Sequence, residues 1–285
     1  MAEFIRLSGL DQVPDALRGG IVAIGNFDGF HRGHQEVFAK LKARARAEGR
    51  PAIVLTFEPH PRDVFAPAPF MFRLTDAEAK ARLAEALGLD GLVVMPFDRP
   101  FSQIEAEDFV RRFLVEALAV QGVIIGADFH FGRGRRGKAD FLRAALSTKS
   151  CTVEVLDLVA DGPEPISSSR IRAALGAGEL DAANDLLGYH WFVEGEVVSG
   201  DRRGRELGFP TANVAEPVGF GLALGVYAVR ALLDGRLLDG VASYGKPMFA
   251  DQRPPFETHF FDFAEDIYGK RISIVLVSHI RGQKI

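Results

Sequence analysis

Cysteine is almost missing from this 285-residue chain. Cys151 is the only one, so neither an internal disulfide nor a multi-cysteine metal site can form. A surplus of positive charge is missing too. The 34 Lys and Arg are outnumbered by 38 Asp and Glu, and a formal net charge of −4 removes the basic footprint with which nucleic-acid binders meet phosphates. No apolar run approaches the roughly eighteen residues needed to cross a bilayer. Residues 1–20 carry Glu3, Arg6, Asp11 and Asp15 and lack the apolar core of a secretory signal. These absences predict a soluble cytoplasmic protein with no nucleic-acid or membrane partner; the oligomeric state stays open. There is no G-x-x-x-x-G-K-[ST] loop, which excludes P-loop chemistry. Internal repeats and low-complexity tracts are absent as well.

What is present is length and pattern. A chain of 285 residues exceeds what one compact core usually takes, so two domains are expected. Short apolar runs at 20–25, 52–57, 91–95, 122–126 and 153–156 read as buried strands. Between them, 35–48, 77–87, 106–118 and 138–147 carry helical spacing. That alternation predicts an α/β domain with a parallel sheet and helices on both faces, whose ligands bind beyond the carboxyl ends of the strands. Two short helices over 171–187 close it. From Trp191 the runs become short and β-rich, at 192–199, 226–232, 241–243, 257–263 and 271–277, separated by glycine-bearing turns. These predict a small antiparallel β-barrel. The expected domains are residues 1–186 and 187–285.

The first expected strand runs into Gly25-Asn26-Phe27-Asp28-Gly29-Phe30-His31-Arg32-Gly33-His34, which opens a helix. Glycines permit close backbone approach, and a helix N-terminus offers free N–H groups and partial positive charge. His31 and His34, three apart, can both face one ligand and donate to phosphate oxygens. This suits nucleotidyl transfer, which needs positioning and charge stabilisation more than a strong base. Taken alone, a His-x-x-His is more often a simple helix cap; zinc would need ligands that the sequence does not supply.

The segment resembles the H-x-G-H signature of nucleotidyltransferases. The longer string around it is similar to the bacterial bifunctional riboflavin kinase/FAD synthetase family. Further family marks follow in order: Thr56-Phe57-Glu58-Pro59-His60-Pro61, Phe97-Asp98 with Phe101, Gly126 to Gly132, and Ile166-Ser167-Ser168-Ser169-Arg170-Ile171-Arg172. The resemblance implies a Rossmann-like nucleotidyltransferase domain that adenylylates FMN with ATP. It assigns Gly25, Phe27, Asp28, Gly33, His31 and His34 to the ATP phosphates, with the two histidines catalytic. Ser167, Ser168 and Arg172 would bind phosphate, although the Ser-Ser-Ser-Arg string taken alone reads more readily as an ordinary helix N-cap. Asp128, Phe129 and Phe131 would contribute to the flavin site; the two rings are as plausible in the core. The family usually carries an acidic residue soon after the glycine at 137, where this chain has Lys138 and then Asp140.

A second motif, Gly200-Asp201-Arg202-Arg203-Gly204-Arg205-Glu206-Leu207-Gly208-Phe209-Pro210-Thr211-Ala212-Asn213, reads by itself as a basic β-hairpin. It resembles the riboflavin kinase signature. Gly200, Arg205 and Gly208 would then cradle ATP phosphates, and Thr211 and Asn213 would offer oxygen ligands to Mg2+. Glu257 would be the base at the riboflavin hydroxyl. By alternation Glu257 and His259 share a strand face. The chain departs from the family at 242–249, where Met248 replaces a threonine, and at Leu224, where proline is common. It also ends at Ile285, where family members continue into a C-terminal helix. The resemblance therefore implies riboflavin to FMN in the barrel and FMN to FAD in the α/β domain. The alternatives are FMN adenylylation alone, with a degraded or regulatory barrel, or a non-catalytic flavin sensor.

Overall fold

The computed structural model describes residues 3–147, 151–198, 211–214, 219–245 and 256–282. The chain divides into two compact units, Met1–Met71 with Thr75–Ile166, and Phe72–Leu74 with Ser167–Ile285.

The first unit contains strands β1 (Ile5–Ser8), β2 (Ile21–Ile24), β3 (Ala52–Glu58), β4 (Gly91–Pro96), β5 (Gly122–Gly126) and β6 (Thr152–Leu156). They form one sheet in the order β1-β4-β3-β2-β5-β6, with every pairing parallel. Its helices are α1 (Arg32–Glu48), α2 (Pro61–Phe65), α3 (Ala77–Ala86), α4 (Arg99–Ser102), α5 (Ala106–Phe109) and α6 (Ala139–Leu146). A small hairpin, β7 (Ala160–Asp161) with β8 (Glu164–Pro165), follows β6. All four residues of β2 are buried, as a strand covered on both faces requires. Its side chains alternate between two cores. Ile21 and Ala23 join Phe38, Leu41 and Ala45 of α1 and Ala81 and Ala84 of α3; Val22 and Ile24 join Phe109, Leu114, Leu142 and Leu146. Cys151 lies in the second core, where burial pushes its thiol up to about 11.

Strand β1 is an element that the apolar runs do not announce. Its Ile-Arg-Leu-Ser sequence alternates because it is a sheet edge, paired only with β4. The helix expected over 106–118 is α-helical only to Phe109 and continues as a π-helix, Val110–Ala117, a difference in backbone winding that hydrophobic spacing does not report. Helix α1 starts at Arg32, three residues earlier than its apolar spacing suggests, so the histidine motif lies in its first turn. The chain runs from β2 outward to β3 and β4, then returns to the other side of β2 as β5. The carboxyl ends of β2 and β5 therefore flank the sheet's switch point, the usual ligand position in open α/β sheets.

The second unit holds α7 (Ser168–Ala177) and α8 (Leu180–Leu187), followed by β9 (Phe192–Val198), β10 (Ala212–Val214), β11 (Gly225–Leu233), β12 (Arg236–Tyr244), β13 (Phe256–Phe260) and β14 (Arg271–Gly282). The strands close as an antiparallel barrel in the order β10-β13-β12-β11-β14-β9. Buried and more open residues alternate along β11 and β13, so Tyr227, Val229, Phe256, Thr258 and Phe260 fill the interior. Phe72–Leu74 groups with this unit because the Trp191 indole N–H donates to the Leu74 carbonyl at 3.0 Å. Phe72 also packs edge-on to Trp191 and Phe220.

Candidate active sites

The first candidate site grows from the β2–α1 loop. His31 is the N-cap of α1, extended at φ −62° and ψ 169°, and its ring stacks on His34 with centroids 3.6 Å apart. Gly33 permits this. A Cβ there would stand 3.2 Å from Nδ1 of His31, so any side chain presses on the stacked ring. Gly25 plays the same part for Phe27, whose ring a Cβ would meet at 3.0 Å. Phe27 is buried in the core and lies edge-on to His34 at 5.1 Å. Burial, then the charges of His31 and Lys80, hold the His34 pKa well below its ordinary value. At neutral pH His34 is therefore uncharged, with one N–H to donate. Its Nδ1 is buried with no hydrogen-bond partner among the described residues, which suits a polar ligand atom.

Two non-glycine residues of the loop, Phe27 at φ 43° and Phe30 at φ 39°, adopt the left-handed region. Such backbone persists only where its surroundings over-determine it. Helix α3 supplies much of that constraint. Thr75, just before it, accepts from the Gly29 amide at 2.9 Å and donates its own amide to Asp28 at 3.0 Å. Asp28 is thus buried and turned into the protein, where it holds the loop. Lys80 is buried at 2 % exposure; its ammonium donates to the Asn26 carbonyl at 2.8 Å and the Thr56 hydroxyl at 3.2 Å. It also pairs with Glu58 at 2.9 Å. Thr56 and Glu58 belong to the family mark read from sequence, whereas Lys80 and Thr75 lie outside every motif of the chain. The signal was there: Lys80 sits one turn before Ala84 on the buried stripe of α3, where an unpaired lysine would be costly.

At the end of β5, Asp128 is exposed, and its carboxylate folds over Gly126, where a Cβ would meet it at 3.1 Å. Phe131 is buried in the core among Phe109, Phe129 and Phe141, which is the packing alternative of the two open for it. Phe129 stacks on it and is only partly buried. Gly137 bonds back to Phe131 in both directions, and a Cβ there would enter the Phe131 ring at 2.6 Å.

In the second unit, Ser167 caps α7, its hydroxyl accepting from the Arg170 amide at 3.2 Å, and Ser168 is the first residue of that helix. Arg172 directs its Nε to the Phe72 carbonyl. On the barrel, Glu257 lies directly opposite Asn213 of β10 and Ser243 of β12. Cross-strand partners on one face stand roughly 5 Å apart at Cβ. Buried Phe256, Thr258 and Phe260 alternate with Glu257 and His259, so the last two share the outer face. Thr211 precedes β10 by one residue. Gly200, Arg205 and Gly208, together with Met248, lie outside the described residues.

Among the described residues no helix is long and apolar enough to cross a membrane, and no group of three or more His, Cys, Asp or Glu is set to hold a metal ion. Residues 13–170 match the FAD synthetase family model, and residues 187–285 match the riboflavin kinase family model. A bifunctional riboflavin kinase/FMN adenylyltransferase of Pseudomonas fluorescens is 38% identical over 278 residues, covering 97% of this chain and 89% of that protein. The enzyme of the same description from Escherichia coli K12 is 38% identical over 277 residues, covering 96% and 88%. A solved structure described as a macrolide-efflux protein from Streptococcus pneumoniae is similar at a TM-score of 0.84 and 28% identity, over 99% of this chain and 93% of its own. Both halves and nearly the whole length thus agree: the chain belongs to the bifunctional riboflavin kinase/FMN adenylyltransferase family.

Proposed function

We propose that this protein phosphorylates riboflavin to FMN within residues 187–285 and adenylylates FMN to FAD within residues 1–186, both with ATP. The observation that carries the reading is the stacked His31–His34 pair at the N-terminus of α1, beside the switch point of a parallel sheet. In the adenylylation step a phosphate oxygen of FMN attacks the α-phosphorus of ATP. The bond between that phosphorus and the α–β bridging oxygen breaks, and pyrophosphate leaves. The nucleophile is already an anion, so the protein's work is to position the reactants and to donate hydrogen bonds to the crowded oxygens. A neutral His34, His31 and the amides of the first turn are suited to that work. Ser167, Ser168 and Arg172 are the further phosphate-binding residues of this reading, and Asp128 with Phe129 the flavin-side residues.

In the kinase step Glu257 takes the proton of the terminal ribityl hydroxyl. Its oxygen attacks the γ-phosphorus, and ADP departs. Glu257 and Asn213 are register partners, which supports one shared site. Magnesium enters with ATP as part of the substrate. The hydroxyl of Thr211, the amide oxygen of Asn213 and the phosphates are hard oxygen donors of the kind it prefers. The reading puts both reactions in the cytoplasm.

The test is chromatographic. Purified protein receives magnesium and ATP with riboflavin in one reaction and FMN in another. FAD from both feeds is the expected result. FAD from FMN alone would remove the kinase half. No product from either feed, beside an active control enzyme, would overturn both halves.

A further inference from the structure

We propose that Lys80 is a positioning residue for FMN adenylylation: its ammonium group fixes the histidine loop by holding the Asn26 carbonyl. This inference rests on the adenylylation reading above. Lys80 reaches from α3 into the space behind the β2–α1 loop and donates to Asn26 at 2.8 Å, in a knot completed by Thr56 and Glu58. The Thr56 hydroxyl donates to the same carbonyl at 2.8 Å, so the Asn26 oxygen receives two hydrogen bonds, one of them charge-assisted.

Two facts argue that this cation does more than fill space. A buried ammonium is expensive unless it is paired and hydrogen-bonded, and an apolar side chain of similar size would avoid that cost. The carbonyl it holds belongs to the residue just before Phe27, the first left-handed residue of the loop. Freed of that tether, the peptide between Asn26 and Phe27 can rotate toward ordinary backbone, and the stacked histidines lose their seat. The Lys80 charge also joins burial and His31 in keeping His34 neutral, consistent with a hydrogen-bond donor rather than an acid.

The test uses full-length protein and the variants Lys80→Met, Lys80→Met with Glu58→Gln, and Thr56→Val. Adenylylation of FMN, phosphorylation of riboflavin and thermal midpoint are measured for each. Lys80→Met is expected to lower the adenylylation kcat at least 30-fold, with KM for FMN and ATP within threefold and the kinase rate unchanged. In the double variant the Glu58 charge is removed together with the Lys80 charge that faces it, so the thermal midpoint recovers while kcat stays low. Thr56→Val keeps the buried volume and is expected to lower kcat about tenfold with KM unchanged. A double variant that regains wild-type kcat would reduce Lys80 to a structural ion pair and overturn the proposal. So would a Thr56→Val enzyme of wild-type rate, or losses confined to KM. A wild-type chain that makes no FAD from FMN would instead refute the functional reading, and this inference with it.

Discussion

At Gly33 the side chain is absent for a measurable reason, the closeness of the His31 ring. Gly33→Ala is therefore expected to tilt that ring off His34 and lower the adenylylation kcat by tenfold or more, since misplacement of a reacting group by about 1 Å can cost 10²-fold. Riboflavin phosphorylation by the same protein should not change, which separates the effect from general misfolding. His34 gives a second prediction, through pH. Its folded pKa lies well below the usual histidine value, mainly through burial. Below about pH 6.5 the unfolded chain binds a proton that the folded chain refuses, so stability falls as pH falls. The slope from this one group is at most about 1.4 kcal/mol per pH unit. His34→Gln should flatten the decline between pH 6.5 and 5, read from urea midpoints by circular dichroism. A variant with the wild-type slope would show that other groups set it.

Helix α3 acts as a clamp on a loop that precedes it by some fifty residues. Thr75→Val removes the hydroxyl that accepts from the Gly29 amide, and loss of one intramolecular hydrogen bond costs about 0.5–1.5 kcal/mol. The expected result is a loss of stability in that range, with a lower FAD yield from FMN; a fully stable variant would mean that water replaces the hydroxyl. On the barrel, one-to-one register between β13 and β10 places Glu257 beside Asn213, whereas a shift by one residue would send Glu257 into the interior. The sequence allowed this face to be read from alternation alone. It did not reveal β10, because three residues between glycine-rich and polar stretches carry too little pattern.

For the whole molecule, two activities on one chain predict reciprocal losses. His34→Gln should abolish FAD formation while riboflavin is still converted to FMN. Glu257→Gln should abolish that conversion while FMN is still adenylylated. Chromatography of the flavins from both feeds decides it; joint loss in either variant would mean that the halves do not work independently. The sequence by itself determined the α/β sheet, the barrel, the family and the His31, Asn213 and Glu257 motifs. The sheet and the barrel rest on local periodicity, and the family and the motifs on the resemblance of short strings of the chain to the family's signatures. Only the tertiary structure decided that Phe131 is core, that Asp28 faces inward, and that Thr75 and Lys80 hold the histidine loop. Each of these depends on a contact with residues remote in sequence, such as Asn26 with Lys80 and Gly29 with Thr75. A buried lysine looks like any helical lysine until the fold supplies the carbonyl and carboxylate that make its burial tolerable.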